Sequence, residues 1–117
     1  MSENKFNELK SVISELREKC PWDRKQTFQS LRSLTIEEVY ELSEAIINQD
    51  PKNIEEESGD LLLHILFYAK LGEEKKLFSI NTIIEKLIFK LKERHPHIYG
   101  NLKAETSVDF YYPSKIN

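Results

Sequence analysis

The sequence predicts an all-α fold: a four-helix-type domain whose core is completed by dimerisation. Three observations carry this expectation. The 117 residues include only three Gly and four Pro, too few for the many tight turns of an all-β domain. Apolar residues recur at helical spacing in four separate segments. One of these, residues 61–71, is apolar nearly all round (Leu61, Leu62, Leu63, Ile65, Leu66, Phe67, Ala69, Leu71), as a central helix is. A chain of this length is one domain and buries only about two-thirds of its unfolded surface, so a second subunit is the expected cover for that helix. Leu, Ile, Val and Phe number 35 of 117 residues, well above the roughly 20% below which chains tend to stay disordered.

The elements follow in order. Phe6, Leu9, Val12, Ile13 and Leu16 form one apolar stripe, which predicts a helix over residues 3–19. Pro21 biases Cys20 away from helix, and residues 20–27 read as a loop. A short helical turn is expected over residues 28–33. Thr35-Ile36-Glu37-Glu38 has the form of a capping box, so a second helix is expected to start there and run to about residue 48. Its stripe is Ile36, Val39, Leu42 or Ser43, Ile46 and Ile47. Asp50 is a good N-cap and Pro51 a good first helical residue. The third helix should run from there to about Leu71, with Gly72 as its stop. A fourth, starting near Ser79 or Asn81, carries Ile83, Ile84, Leu87, Ile88 and Leu91 and ends near His95-Pro96. Residues 101–117 lack periodicity; Phe110-Tyr111-Tyr112 there is expected to pack on the domain or on a partner.

Composition narrows the class. The single cysteine, Cys20, excludes an intramolecular disulfide and argues against a Cys-based zinc site. No apolar run approaches the ~20 residues that span a bilayer, and the first residues lack the apolar core of a signal peptide. A cytoplasmic protein without membrane attachment is the default expectation. The net charge of −3 speaks against a nucleic-acid polymer as partner, since such binders are usually basic.

That charge is unevenly placed. Residues 37–60 hold nine acids against one base, Lys52. Glu38 and Glu41 are three apart and share a helix face, as do Glu57 and Asp60. Across a helical hairpin turning near residue 49, Glu41 comes opposite Glu57 and Glu38 opposite Asp60. At 1.5 Å rise per residue each pair is level to within roughly 1.5 Å. Carboxylates ~5 Å apart repel by ~3 kcal/mol per pair at an effective dielectric near 20. Such a cluster must hold protons or a cation. Oxygen ligands without His or Cys suit Mg²⁺ or Mn²⁺. The alternative is a solvated helix face, although such a face usually alternates signs.

A basic counterpart stands at the end of helix four: Lys86, Lys90, Lys92, Arg94 and His95. Lys90 and Arg94 share a face. They read either as cations complementing the negative end of the helix dipole or as a phosphate clamp. Trp22 is either packed at a helix junction or free to stack on a base. His64 reads as a satisfied core histidine and Cys20 as a small packed residue.

Four ordered blocks of the sequence resemble the MazG nucleotide pyrophosphohydrolases, of the all-α NTP pyrophosphatase superfamily. They are Cys20-Pro21-Trp22-Asp23 with Gln26-Thr27; Glu37-Glu38-Val39-Tyr40-Glu41; Glu57-Ser58-Gly59-Asp60-Leu61-Leu62; and Lys90-Leu91-Lys92-Glu93-Arg94-His95-Pro96-His97. The resemblance implies a MazG-like domain over residues 1–100 followed by a divergent tail, 101–117. It implies a homodimer or homotetramer. It also implies Mg²⁺-dependent cleavage of a nucleoside triphosphate to the monophosphate and pyrophosphate. By motif, Glu38, Glu41, Glu57 and Asp60 are the metal ligands, and Glu37 orients a ligand or the attacking water. Lys90 and Arg94 contact the phosphates, and Leu34 and Asn53 line the nucleotide site. Relatives continue into a helix with a W-E-x-x-K pattern, which residues 101–117 lack.

The expected chemistry is attack of an activated water on the α-phosphorus, with a Glu as proton acceptor. Two other classes compete. One is a regulatory helical module that binds nucleotide without cleaving it. The other is an interaction-only helical dimer, indifferent to Mg²⁺.

Overall fold

The computed structural model of the chain describes residues 2–100. They form α1 (Ser2–Lys19), α2 (Pro21–Arg24), α3 (Phe28–Ile47), α4 (Pro51–Glu74), α5 (Ile80–Glu93) and α6 (Pro96–Tyr99), with no strand among the described residues. The expectation of an all-α fold holds. The expected tail, with Phe110-Tyr111-Tyr112, lies outside the described residues. The chain divides into two compact units, one ending at Ser79 and the other beginning at Ile80.

In the first unit, α1 stops where Pro21 predicts. Residues 21–24 nevertheless form a helical turn rather than a loop, because Pro21 occupies its N-terminal position, where a fixed φ is already helical. The stretch after it is tied down by Arg17. One guanidinium nitrogen of Arg17 donates to the main-chain carbonyls of Asp23 (2.7 Å), Arg24 (3.0 Å) and Gln26 (3.2 Å). The other two grip Glu74 at 2.9 Å each, and Arg17 thereby holds the Glu74 carboxyl below the usual carboxylate range. Arg17 thus staples α1, the α2 turn and the end of α4. Arg17→Met is expected to lower stability by about 1–3 kcal/mol, since charge-assisted hydrogen bonds are lost and carbonyls are left unpaired. The measurement is the urea midpoint at unchanged m-value.

α3 corrects the expected break before Thr35. It is one helix from Phe28, capped by Thr27. The Thr27 hydroxyl accepts from the Ser30 amide (3.0 Å), and the Ser30 hydroxyl accepts from the Thr27 amide (2.8 Å). Thr35 caps nothing. Its hydroxyl turns back to the Leu31 carbonyl at 3.0 Å, as a mid-helix Thr does. No Gly or Pro lies between residues 28 and 47 to stop the helix.

The turn to α4 follows the expectation. Gln49 takes a left-handed φ of 53°, the Asp50 carboxylate accepts from the Asn53 amide at 3.3 Å, and Pro51 opens the helix. α4 runs past Gly72, which is not its stop. The left-handed position after the helix belongs to Lys76, at φ 60°. The Leu77 and Lys76 amides return to the Gly72 and Glu73 carbonyls at 2.8 and 3.0 Å, a Schellman closure. Glycine at position 72 serves packing instead. A Cβ there would lie 2.3 Å from the Phe78 ring, which itself rests near Phe28 at 6.0 Å between centroids.

The core is formed by Ile13, Leu31, Ala45, Leu66, Phe67, Ala69 and Leu71. α3 packs along α4 as an antiparallel hairpin, and α1 packs on α4. The stripe of α3 is not in this core. Ile36, Val39 and Ile46 are 50%, 49% and 54% exposed, because the Leu31–Ala45 side of the helix faces α4 instead. On α4, Leu62, Leu63 and Ile65 are also exposed.

The second unit is α5 followed by the short α6. The His95 ring Nδ1 lies 2.6 Å from the Leu91 carbonyl, and the Lys92 ammonium sits over the Tyr99 ring at 5.5 Å.

Candidate active site

The α3–α4 hairpin stacks its polar side chains in successive levels. From the turn outward these are Glu41 with Glu57, Glu38 with Asp60, and Thr35 with His64 and Tyr68. Each level is about one helical turn, or 5.4 Å, from the next. The two caps, Thr27 and Asp50, together with the left-handed Gln49, set the register that brings these residues level.

Glu38, Glu41 and Glu57 each offer a carboxylate oxygen, and the three oxygens lie within 4.8 Å of one another. Asp60 stands outside this trio, but its charge acts on both Glu38 and Glu57. Burial, then Asp60 and Glu41, raise the Glu38 carboxyl above its ordinary range, while His64 opposes the shift. Burial, then the charges of Glu41, Asp60 and Glu38, push Glu57 up to about 6. Oε1 of Glu38 and Oε1 of Glu57 are buried without a hydrogen-bond partner. Among the described residues the ion pairs of Lys and Arg go elsewhere, to Glu74, Glu15 and Glu73. Buried, unpaired, mutually repelling carboxylate oxygens fit a hard divalent cation such as Mg²⁺.

The other predicted residues are distributed as follows. Glu37 is exposed on α3, outside the trio. Leu34 is half-buried, one turn before Glu38. Asn53 joins Glu41, Glu44, Asn48 and Glu57 around an open cavity of about 210 Å³ beside the carboxylates. Trp22 is 56% exposed and overhangs a second cavity, of about 190 Å³. That one is walled by Ile13, Leu16, Leu31, Leu63 and Phe67, with Asp23 and His64 as its polar members. Lys90 and Arg94 belong to the second unit, one turn apart, with the Arg94 amide on the Lys90 carbonyl at 2.9 Å.

Sequence reasoning treated His64 as core. It is half-buried, and its Nδ1 lies 2.6 Å from the Thr35 hydroxyl, which also meets the Tyr68 hydroxyl. The only available signal was spacing: His64 is four residues after Asp60 and so on the same helix face.

The family profile of the MazG nucleotide pyrophosphohydrolase domain matches residues 26–99. A nucleoside triphosphate pyrophosphohydrolase/pyrophosphatase MazG from Thermotoga maritima is 46% identical over 98 residues, 82% of this chain and 38% of the relative. The uncharacterized protein YabN of Bacillus subtilis is 43% identical over 108 residues, 91% of this chain and 22% of the relative. A nucleoside triphosphate pyrophosphohydrolase of Escherichia coli K12 is 37% identical over 107 residues, 89% of this chain and 41% of the relative. The chain therefore spans well under half the length of these relatives. A crystal structure of a mazG-related protein from Thermotoga maritima superposes with a TM-score of 0.75 at 26% identity, covering 90% of this chain and 94% of that one.

Proposed function

The chain belongs to the MazG nucleotide pyrophosphohydrolase domain family, and from that premise we propose that it hydrolyses nucleoside triphosphates to the monophosphate and pyrophosphate. The observation that carries this reading is the trio of carboxylate oxygens within 4.8 Å, two of its members holding buried oxygens without a donor. Glu38, Glu41 and Glu57 would hold Mg²⁺, with Asp60 beside them. Bound there, the ion would neutralise polyphosphate charge and acidify a water.

The chain's own groups have separable tasks. Glu41, the exposed member of the trio, and Glu37, exposed next to Glu38, are the candidates for accepting the proton of the attacking water. Lys90 and Arg94 are the cations for the pyrophosphate leaving group, a role that rests on the matched basic segment Lys90–His97. Asn53 and Leu34 border the nucleotide. The partner is a small anionic nucleotide rather than a polymer, in the cytoplasm; among the described residues no helix is long and apolar enough to cross a membrane. The outward Ile36, Val39 and Ile46 support a second copy of the chain as their cover, in a homodimer or homotetramer.

The test is a panel of ribo- and deoxyribonucleoside triphosphates with Mg²⁺, product analysis by chromatography, and an EDTA control. Monophosphate and pyrophosphate should appear in equal amounts, and neither should appear with EDTA. Thermal stabilisation by Mg²⁺ and nucleotide with no product would instead establish a binding module without turnover.

A further inference from the structure

We propose that Thr35 is a positioning residue: its hydroxyl bolts α3 to α4 beside the carboxylates and presets their spacing for a divalent cation. This rests on the metal reading above and adds to it what holds the empty site together. The Thr35 hydroxyl contacts three partners: the Leu31 carbonyl at 3.0 Å, His64 Nδ1 at 2.6 Å, and the Tyr68 hydroxyl. A hydroxyl donates once and accepts twice. The Leu31 carbonyl can only accept, so Thr35 donates there. His64 Nδ1–H and Tyr68 O–H then both donate to Thr35. The capacity of the hydroxyl is filled: one bond stays within α3 and two cross to α4. The His64 contact needs only the proton on Nδ1, which the charged ring carries as well.

Place ties this junction to the acids. Thr35 is three residues before Glu38, and His64 is four after Asp60. Both therefore sit about one turn from that level, on the helix faces that carry the carboxylates. The other end of the hairpin is fixed by its turn, where the Asp50 carboxylate caps α4. Glu38, Glu41, Glu57 and Asp60 lie between these two ends. Burial and mutual repulsion act on Glu38 and Glu57 there, and their Oε1 atoms have no hydrogen-bond partner.

Without a cation, that repulsion pushes α3 and α4 apart at the acid levels. The Thr35 bonds resist it one turn away. Tyr68 is itself braced, its ring stacked on Phe28, the first residue of α3, at 6.1 Å between centroids. A polar network with every member satisfied is rigid. The carboxylate oxygens within 4.8 Å of one another are thus held close before an ion arrives, and the ion does not have to draw the helices together.

The test is Mn²⁺ binding to the nucleotide-free protein, followed by the electron paramagnetic resonance signal of the free ion. Thr35→Val keeps the side chain's shape and removes all three bonds. It should bind Mn²⁺ about tenfold more weakly, the low end of what lost outer support costs a metal site. Thr35→Ser restores the hydroxyl and should recover most of that loss. Tyr68→Phe keeps the ring on Phe28 and should fall between. Arg17→Met, destabilised away from the acids, should bind as wild type does, which separates positioning from general loss of stability. In triphosphate turnover, Thr35→Val should need about tenfold more Mg²⁺ for half-maximal rate and reach a near-wild-type kcat at saturation. Wild-type Mn²⁺ affinity in Thr35→Val would overturn the positioning role and leave the metal site standing. Equal weakening in Thr35→Ser or in Arg17→Met would overturn it too. Should Thr35→Val not fold, Tyr68→Phe decides: weaker binding supports the role, and wild-type affinity overturns it. No Mn²⁺ binding by wild type would overturn the metal reading and the positioning role together.

Discussion

Glu38→Gln is expected to reduce pyrophosphate release by about 10²–10³-fold, the scale of losing one preorganised electrostatic group from an active site. The substitution keeps shape and volume but removes the charge of a trio member whose Oε1 is buried and unpartnered. Asp60→Asn should cost less, because Asp60 lies outside the group of oxygens within 4.8 Å and acts on Glu38 and Glu57 through its field. Glu37→Gln should show the smallest metal effect, with any loss falling on kcat at unchanged Mg²⁺ dependence. Steady-state kinetics over a Mg²⁺ titration separates the three. Full activity in Glu38→Gln at saturating Mg²⁺ would sink the assignment of the trio as the catalytic metal site.

The carboxylate hairpin was legible in the sequence because its determinants are local. Asp50-Pro51 marks the restart of the chain, and two three-residue spacings at mirror positions across that point define the levels. What escaped depended on choices made by tertiary partners. Thr35 heads the capping-box sequence, but the residue that caps is Thr27, whose hydroxyl accepts from the Ser30 amide. Thr35 instead finds a histidine 29 residues away. Gly72 looked like a helix stop, yet a lysine took the left-handed position and the glycine makes room for Phe78. Periodicity marks Ile36, Val39 and Ile46 as an apolar stripe but not which way it faces. Once Glu38 and Glu41 turn toward α4, that stripe must turn outward. Carboxylates turned into a two-helix hairpin therefore displace apolar surface to the outside, where Ile36, Val39 and Ile46 are half exposed. The contact of His64 with Thr35 was hidden for the same reason: the two become neighbours only when the hairpin register is set.

The electrostatics of the same hairpin predict an inverted pH response. In the metal-free protein, burial and the surrounding acids hold Glu57 up at about 6, above the ordinary value of 4.5. The folded state therefore binds the Glu57 proton more tightly than the unfolded chain does. The stabilisation this gives is fully present below the unfolded pKa and is lost as pH rises through the folded one. Glu38 is shifted in the same direction. Glu74 has the opposite sign, being held low by Arg17, and its contribution is lost only as pH falls below the usual carboxylate range. Thermal melts of the metal-free protein should therefore show Tm falling between about pH 4.5 and 6.5. Glu57→Gln should flatten that fall and melt higher than wild type at pH 7.5. Mg²⁺ should reverse the order. It replaces the proton, so its effect should be small at pH 4.5 and large at pH 7.5. At a hundred times its Kd it stabilises by about 2.7 kcal/mol, which is roughly 10–20 °C in a domain of this size. Glu57→Gln should lose most of that gain. A metal-free wild type whose Tm follows that of Glu57→Gln across the whole pH range would show that the Glu57 carboxylate carries no strain. Mg²⁺ would then have none to relieve. The same substitution is thus expected to stabilise the empty protein and to disable it, because the repulsion that weakens the hairpin is what recruits the cation.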